Sequence, residues 1–297
     1  MTGPVIASTR EELHRLLGDR TGAPLALVPT MGALHEGHAS LIRVARERAG
    51  HGPVVVSVFV NPLQFGAGED LDRYPRTLEA DLEVCAREGV DIVFAPSVEE
   101  VYPGGDPLVT VEPGPGATIL EGKTRPGHFR GVLTVVAKLF GLVRPDVAVF
   151  GEKDYQQLSL IRRMVADLCL GIEVVGAPTQ READGLALSS RNRFLSPEER
   201  EEAVVLSRAL AAAQDEAEYG VGPALDAART EIRTSHGVDL DYLVITTPDL
   251  RPVPVDAPAG TEARILVAAR VGATRLIDNM PLTLGCATTT PSTPGSN

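Results

Sequence analysis

Leu25-Ala-Leu-Val-Pro29-Thr-Met-Gly-Ala-Leu-His35-Glu-Gly-His38 runs from a short apolar segment, through a glycine-containing turn, into a helix start. The apolar part lacks period-two alternation, which marks a strand covered on both faces, as in a parallel sheet. Helical spacing follows from Ser40 to Arg48. A strand passing directly into a helix is half of a β-α-β unit, and the same order of signals recurs down the chain. Pro53 to Val60, Asp91 to Ala95, Val147 to Gly151 and Ile172 to Ala177 read as further buried strands. Thr77 to Glu88, with Gly89 as C-cap, then Gly131 to Val143 and Tyr155 to Leu170 read as helices. Ser8-Thr-Arg-Glu11 offers a capping box for a helix ahead of them. The expected fold is α/β: a Rossmann-like, doubly wound parallel sheet over residues 1–178.

The pattern changes after Pro178. A polar segment, Thr179 to Arg193, leads to Ser196-Pro197-Glu198-Glu199, with Ser as N-cap, Pro at the first helical position and Glu at the third. A long Ala-rich helix to about Tyr219 follows, is broken at Gly220 to Gly222, and gives way to another helix ending near Ser235. Tyr242 to Thr246 and Ile265 to Ala269 read as strands. Residues 179–286 are therefore expected to form a second, smaller α+β domain, and the Thr/Ser/Pro/Gly tail 287–297 to be disordered.

Composition narrows the function classes. The 297 residues are 43% apolar, contain no Trp, and carry a formal net charge of −12. That charge disfavours nucleic acid, whose phosphates need clustered Lys and Arg, and favours a small-molecule enzyme. Cys85, Cys169 and Cys286 are far apart and form no CxxC pair, so neither zinc nor a disulfide framework is indicated; Cys85 and Cys169 are expected as inert core thiols. The N-terminal residues lack a basic stretch followed by an apolar run, and no segment has membrane-spanning length. The expectation is a cytoplasmic protein.

Several clusters carry chemistry. His35 and His38 stand three apart at a helix start, where uncapped N–H groups and the helix dipole favour anions. Gly32 and Gly37 remove side chains where a nucleotide would approach. Against a phosphate site stand a solvated turn and a metal site, but H-E-x-H lacks metalloprotease spacing and a third ligand. No G-x-G-x-x-G or Walker A sequence is present. Gly151-Glu152-Lys153-Asp154 lies at another strand end, where Lys153 can neutralise phosphate oxygens and Asp154 can accept from a ribose hydroxyl; a surface ion pair is the alternative. Leu188-Ser189-Ser190-Arg191 offers hydroxyls and a cation for a pyrophosphate, or is merely a linker. Asn61 and Gln64 carry amides that suit a hydroxy acid, or are turn residues. Arg125 and His128 fit a carboxylate or a structural role equally.

His35-Glu-Gly-His38 resembles the "HIGH" signature of the nucleotidylyl-transferase superfamily, and the longer PTMGALHEGH is similar to that of the pantothenate synthetase (pantoate–β-alanine ligase) family. The resemblance continues through SVFVNPLQF (Ser57 to Phe65), RPGHFRGVLTVVAKLF (Arg125 to Phe140), FGEKDYQQL (Phe150 to Leu158), SSRNRFL (Ser189 to Leu195) and LVAARVGATRLIDN (Leu266 to Asn279). It implies ATP-dependent condensation of pantoate with β-alanine through a pantoyl adenylate, with Mg²⁺ among the phosphates. By the resemblance, ATP is held by Pro29, Thr30, Met31, Gly32, Ala33, Leu34, His35, Glu36, Gly37 and His38, by Gly151, Glu152, Lys153 and Asp154, by the backbone at Gln180, and by Leu188, Ser189, Ser190 and Arg191. His35, His38, Lys153, Ser189, Ser190 and Arg191 would stabilise the charge that develops on the phosphates. By the resemblance, Gln157 and Gln64 would contact pantoate, Gln64 also lying near the β-alanine position, and a carboxylate at Asp81 would hold Mg²⁺, with Glu79 on a solvated face; from their chemistry alone, Asn61 is a further substrate contact and Arg125 and His128 suit a carboxylate such as that of β-alanine. The family also implies a homodimer through the first domain. The second domain, hinged near Thr179 to Gly185, reads as a lid that keeps water from the adenylate. The rivals are an adenylyl or cytidylyl transferase of the same superfamily, a non-catalytic nucleotide-binding protein, and a tRNA-directed synthetase fragment.

Overall fold

The structure, a computed structural model, describes residues 3–18, 22–66, 71, 74–254 and 257–285. The expected disordered tail and Cys286 lie outside the described residues. The chain divides into two compact units, one formed by residues 1–180 with 188–190, the other by 181–187 with 191–297.

The first unit runs β1 (Val5–Ala7), α1 (Arg10–Leu17), β2 (Ala26–Thr30), α2 (Glu36–Ala49), β3 (Val54–Val58), α3 (Leu78–Arg87), β4 (Ile92–Phe94), α4 (Val98–Val101), α5 (Glu121–Thr124), α6 (His128–Val143), β5 (Val147–Gly151), α7 (Tyr155–Asp167) and β6 (Glu173–Ala177). Its six-stranded sheet has the order β1-β4-β3-β2-β5-β6, and its strand pairs are parallel. The doubly wound parallel sheet read from the sequence is the fold. Val-rich runs form the strands because both faces are covered: Val54, Val55 and Val56 are all fully buried, packed by helices. The chain winds from β2 outward through β3 in one direction and returns to place β5 on the other flank of β2. The strand order therefore reverses between β2 and β5, and at such a switch point the loops after the two strands diverge and leave a crevice.

Two local readings need correction. The first capping box is Thr9 with Glu12, one residue later than Ser8 with Glu11: Glu12 N donates to Thr9 Oγ1 at 3.1 Å, and Glu12 Oε2 accepts from Thr9 N at 3.2 Å. Both pairs have i,i+3 spacing, so spacing alone does not choose; the chosen phase is the one that buries Leu13. Cys85 is a buried core thiol, its pKa pushed up to about 12 by burial and then by Asp81. Cys169, by contrast, is exposed, because it falls beyond the end of α7 in a left-handed turn, φ 52°.

The second unit carries α8 (Pro197–Ala203), α9 (Val205–Asp215), α10 (Val221–Ile232) and the strands β7 (Val238–Thr246), β8 (Thr261–Val271) and β9 (Thr274–Leu284). The strands form an antiparallel sheet in that order, and the small residues Ala209, Ala213, Ala224 and Ala228 pack in the core beneath it. Ser196 caps α8 as read, with Glu199 N donating to Ser196 Oγ at 3.1 Å and Glu199 Oε2 accepting from Ser196 N at 2.8 Å. The segment read as a hinge contains a tight hairpin in which Arg181 bridges Ala187. Arg181 also forms a two-pronged ion pair with buried Asp278 of β9, at 2.6 and 3.0 Å. The hairpin is thus fastened to the second unit from Arg181 onward.

Candidate active site

The loop after β2 is built around a buried carboxylate. Gly32 and Ala33 both take left-handed backbone conformations, φ 84° and 52°. Two successive residues of this kind turn their N–H groups to one side. Asp81, on α3 and 1% exposed, fills that side: Ala33 N donates to Oδ2 at 3.1 Å, Leu34 N to Oδ1 at 2.7 Å, and Thr77 Oγ1 to Oδ1 at 3.2 Å. Asp81 is therefore a structural anion of the loop. Its oxygens are engaged by protein donors, and it does not fit the Mg²⁺ role expected for it. Glu79 is exposed, as read.

This arrangement also revises the reason for two glycines. A Cβ at Gly32 would lie 2.9 Å from Asp81 Oδ2, and one at Gly37 would lie 2.8 Å from His35 Cε1. Both positions are cleared for the protein's own side chains.

His35 is the N-cap of α2. Its Nδ1 accepts from Gly37 N at 3.1 Å, and His38 Nδ1 accepts from His35 N at 3.3 Å. Backbone N–H groups can only donate, so each Nδ1 is unprotonated and each neutral ring carries its proton on Nε2. The two rings lie 4.2 Å apart. Burial lowers the pKa of both: that of His35 falls chiefly by desolvation and then by the Lys153 charge, and that of His38 falls to about 3 by desolvation and then by His35. Asp154 opposes both shifts. The pair is thus a set of neutral Nε2–H donors. Such groups suit phosphoryl oxygens and do not suit general-base duty.

Lys153 enters from the far side of the switch point, in the 3₁₀ turn Glu152–Asp154 that follows Gly151 at the end of β5. Its ammonium is 3.7 Å from Asp154 Oδ1 and mostly covered, while Asp154 is half exposed. Gln157 follows in the first turn of α7, partly exposed. Leu188 comes against the start of α2: a Cβ at Gly37 would be 3.9 Å from Leu188 Cβ. Leu188 N donates to the Gln180 carbonyl at 2.9 Å, so the Gln180 backbone is engaged there. Ser189 and Ser190 continue in the first unit, and Arg191 belongs to the second. Glu36 differs from the other loop residues. It is exposed and paired with Arg43 at 2.6 Å and Arg87 at 3.3 Å. Thr30 Oγ1 donates to Ser57 O at 2.7 Å and accepts from Gly32 N at 3.2 Å, which makes it a loop brace beside Pro29.

A second cluster adjoins the first through Met31, whose Sδ accepts from Gln64 Nε2 at 3.1 Å. Asn61 is 1% exposed and saturated. Its Nδ2 donates to Gln64 Oε1 and to Gly131 O, each at 3.2 Å, and its Oδ1 accepts from Leu63 N at 3.3 Å and Tyr102 OH at 2.8 Å. Asn61 thus orients Gln64, contrary to the expectation that it touches substrate. Arg125 and His128 clamp the Gln64 carbonyl, at 3.2 and 2.9 Å. Because a carbonyl only accepts, His128 Nδ1 donates, which leaves Nε2 to accept from Arg125 Nη1 at 3.2 Å. A pocket of about 290 Å³ opens beside them, lined by Gln64, Arg125, His128, Arg130 and Thr134 among others. Sequence reasoning missed the roles of Thr77, Tyr102 and Gly131: Tyr102 and Gly131 meet Asn61 from 41 and 70 positions away, and Thr77 braces Asp81 one helical turn on, where it reads as an ordinary helix start.

Known proteins share this fold. The family model described as pantoate-beta-alanine ligase matches residues 5–281. A pantothenate synthetase from Nocardioides sp. is 74% identical over 290 residues, 96% of this chain and 87% of that one. One from Salinispora arenicola is 56% identical over 282 residues, covering 94% and 98%. A crystal structure of pantothenate synthetase from Thermus thermophilus superposes with a TM-score of 0.85 at 52% identity, covering 93% and 98%. The Francisella tularensis pantoate-beta-alanine ligase, solved with beta-gamma ATP and beta-alanine, gives 0.75 at 36% identity, covering 97% and 100%. With a family match over residues 5–281, relatives of 56–74% identity over most of both chains and a shared fold, the chain belongs to the pantoate–β-alanine ligase family.

Proposed function

We propose that the chain condenses pantoate with β-alanine in two steps in one crevice. A pantoate carboxylate oxygen attacks the α-phosphorus of ATP; the bond to the bridging oxygen breaks and pyrophosphate leaves. The neutral amine of β-alanine then attacks the carbonyl carbon of the pantoyl adenylate, loses a proton, and AMP departs. The observation that carries this reading is the pair of Nε2–H donors, His35 and His38, beside the Lys153 ammonium at the switch point. Negative charge grows on the phosphate oxygens in the first step, and fixed donors in a poorly hydrated site stabilise it there. Ser189, Ser190 and Arg191 are read as further donors to the departing pyrophosphate. Gln64 and Gln157 are read as pantoate contacts, and the pocket by Arg125 and His128 as room for β-alanine.

Mg²⁺ accompanies the ATP phosphates in this reading and is not assigned to Asp81. A homodimer through the first unit, a lid role for the second and a cytoplasmic location follow from the family in the same way. No helix among the described residues is long and apolar enough to cross a membrane. The test is to incubate purified protein with ATP, Mg²⁺, pantoate and β-alanine, omitting each in turn. Pantothenate, AMP and pyrophosphate must all require pantoate and ATP. A product that retains AMP or CMP, seen by mass spectrometry, would instead identify a nucleotidyl transferase.

A further inference from the structure

We infer that Tyr102 is a positioning residue for substrate selection: its hydroxyl holds Asn61 in the orientation that the Leu63 N–H and the Gly131 carbonyl select, and Asn61 in turn holds the Gln64 amide with nitrogen, and not oxygen, toward the acid substrate. This rests on the reading of Gln64 as a pantoate contact.

The polarity of the relay follows from its ends. The Leu63 N–H can only donate, so the Asn61 atom that meets it is oxygen. The Gly131 carbonyl can only accept, so the Asn61 atom that meets it is nitrogen. The second Asn61 N–H points at Gln64, whose facing atom must then be Oε1. Gln64 therefore directs Nε2 outward, where its contact is Met31 Sδ. A thioether is a weak acceptor, so a substrate hydroxyl or carboxylate oxygen would replace it favourably.

Tyr102 supplies the shortest bond in this set, 2.8 Å to Asn61 Oδ1, against 3.3 Å from Leu63 N. It follows α4, is 3% exposed, and packs its ring 6.1 Å from that of Phe59, so the hydroxyl has a fixed direction. Burial raises the phenol pKa far above neutrality, so the group remains a donor at every working pH. Removing it leaves Asn61 Oδ1, inside the protein, with one long bond, and lowers the barrier to amide rotation in Asn61 and Gln64. A rotated Gln64 would present oxygen to the substrate's oxygens and repel them.

The experiment compares Tyr102→Phe, Gln64→Glu and Gln64→Ala in the full chain. It measures KM for pantoate and for ATP, kcat, and thermal melting. Gln64→Glu keeps the acceptor for Asn61 but removes the outward donor. It is expected to raise the pantoate KM by about tenfold or more, with the ATP KM unchanged. Tyr102→Phe is expected to raise the pantoate KM by about three- to tenfold, again without moving the ATP KM. A purely structural tyrosine would lower melting and disturb both substrates alike. An unchanged pantoate KM in Tyr102→Phe, alongside a raised one in Gln64→Ala, overturns the relay and spares the Gln64 assignment. Unchanged pantoate KM in Gln64→Ala overturns that assignment, and the relay with it.

Discussion

Leu34 and Asp81 stand 47 positions apart, and the Leu34 N–H donates to Asp81 Oδ1 at 2.7 Å. Ala33 N reaches the other oxygen at 3.1 Å. The carboxylate thus holds a left-handed turn whose next residue is His35, the N-cap of α2. A side chain on α3 sets the starting point of the helix that carries both histidines.

Asp81→Ala should therefore leave two part-buried N–H groups without their carboxylate partner, at a cost of about 1 kcal/mol each. Thermal melting is expected to fall by several degrees and adenylate formation to slow with it. The Mg²⁺ concentration giving half-maximal rate should stay the same. A shifted Mg²⁺ requirement with intact stability would restore the metal role to Asp81.

The part-buried histidines make a prediction about pH. His38 has an ordinary pKa of 6.5 and a folded value of about 3. Between these values the unfolded chain binds a proton that the folded chain does not, so stability falls as the pH falls through this window. Above it neither state is protonated and the full stability is present. Urea midpoints of the wild type should drop between about pH 7.5 and about pH 5, and His38→Gln should flatten that drop. Equal slopes in the two proteins would show that His38 is not held neutral by the fold.

The approach of α6 to the Gln64 segment gives a steric prediction. A Cβ at Gly131 would sit 2.2 Å from Leu63 O and 2.7 Å from Gln64 N, both backbone atoms that cannot step aside. Gly131→Ala should displace Leu63 and Gln64, cost about 3 kcal/mol, and weaken pantoate more than ATP. Thermal melting together with the two KM values reads this out; wild-type values for all three would mean that the helix and the loop are not pressed together.

Much of this was legible in the sequence, and the limits have physical causes. Parallel strands covered on both faces announce themselves as short apolar runs without alternation, so β2 to β6 were visible. β1 has three residues, two of them exposed, and gives no such signal. β9 carries Arg275, Asp278, Asn279 and Pro281, and its polar positions mask a strand whose alternate residues are buried. The His-x-x-His helix start was legible because its chemistry is local. The roles of Asp81 and Asn61 were not. A carboxylate near a phosphate motif suggests a metal, and an amide suggests substrate, until the three-dimensional partners are known. Those partners, Ala33, Leu34, Tyr102 and Gly131, come from other elements brought together by the sheet.

Gln157 offers a cleaner probe of the acid substrate. It is partly exposed at the start of α7, next to Gln156, whose amide is engaged by the backbone of Gly116, Ile119 and Glu121. Gln157→Ala should raise the pantoate KM by about tenfold and leave melting unchanged. Gln156→Ala should do the reverse, lowering melting first. Matching effects from the two would remove Gln157 from the substrate contacts.

The most direct measurement is exchange of labelled pyrophosphate into ATP, with pantoate present and β-alanine left out. The wild type is expected to exchange only when pantoate is supplied. His35→Ala and Lys153→Ala, folded by circular dichroism, are expected to lose about a hundredfold or more of that rate. Exchange that ignores pantoate, or that survives unchanged in both variants, would contradict the acyl-adenylate chemistry assigned to the crevice between β2 and β5.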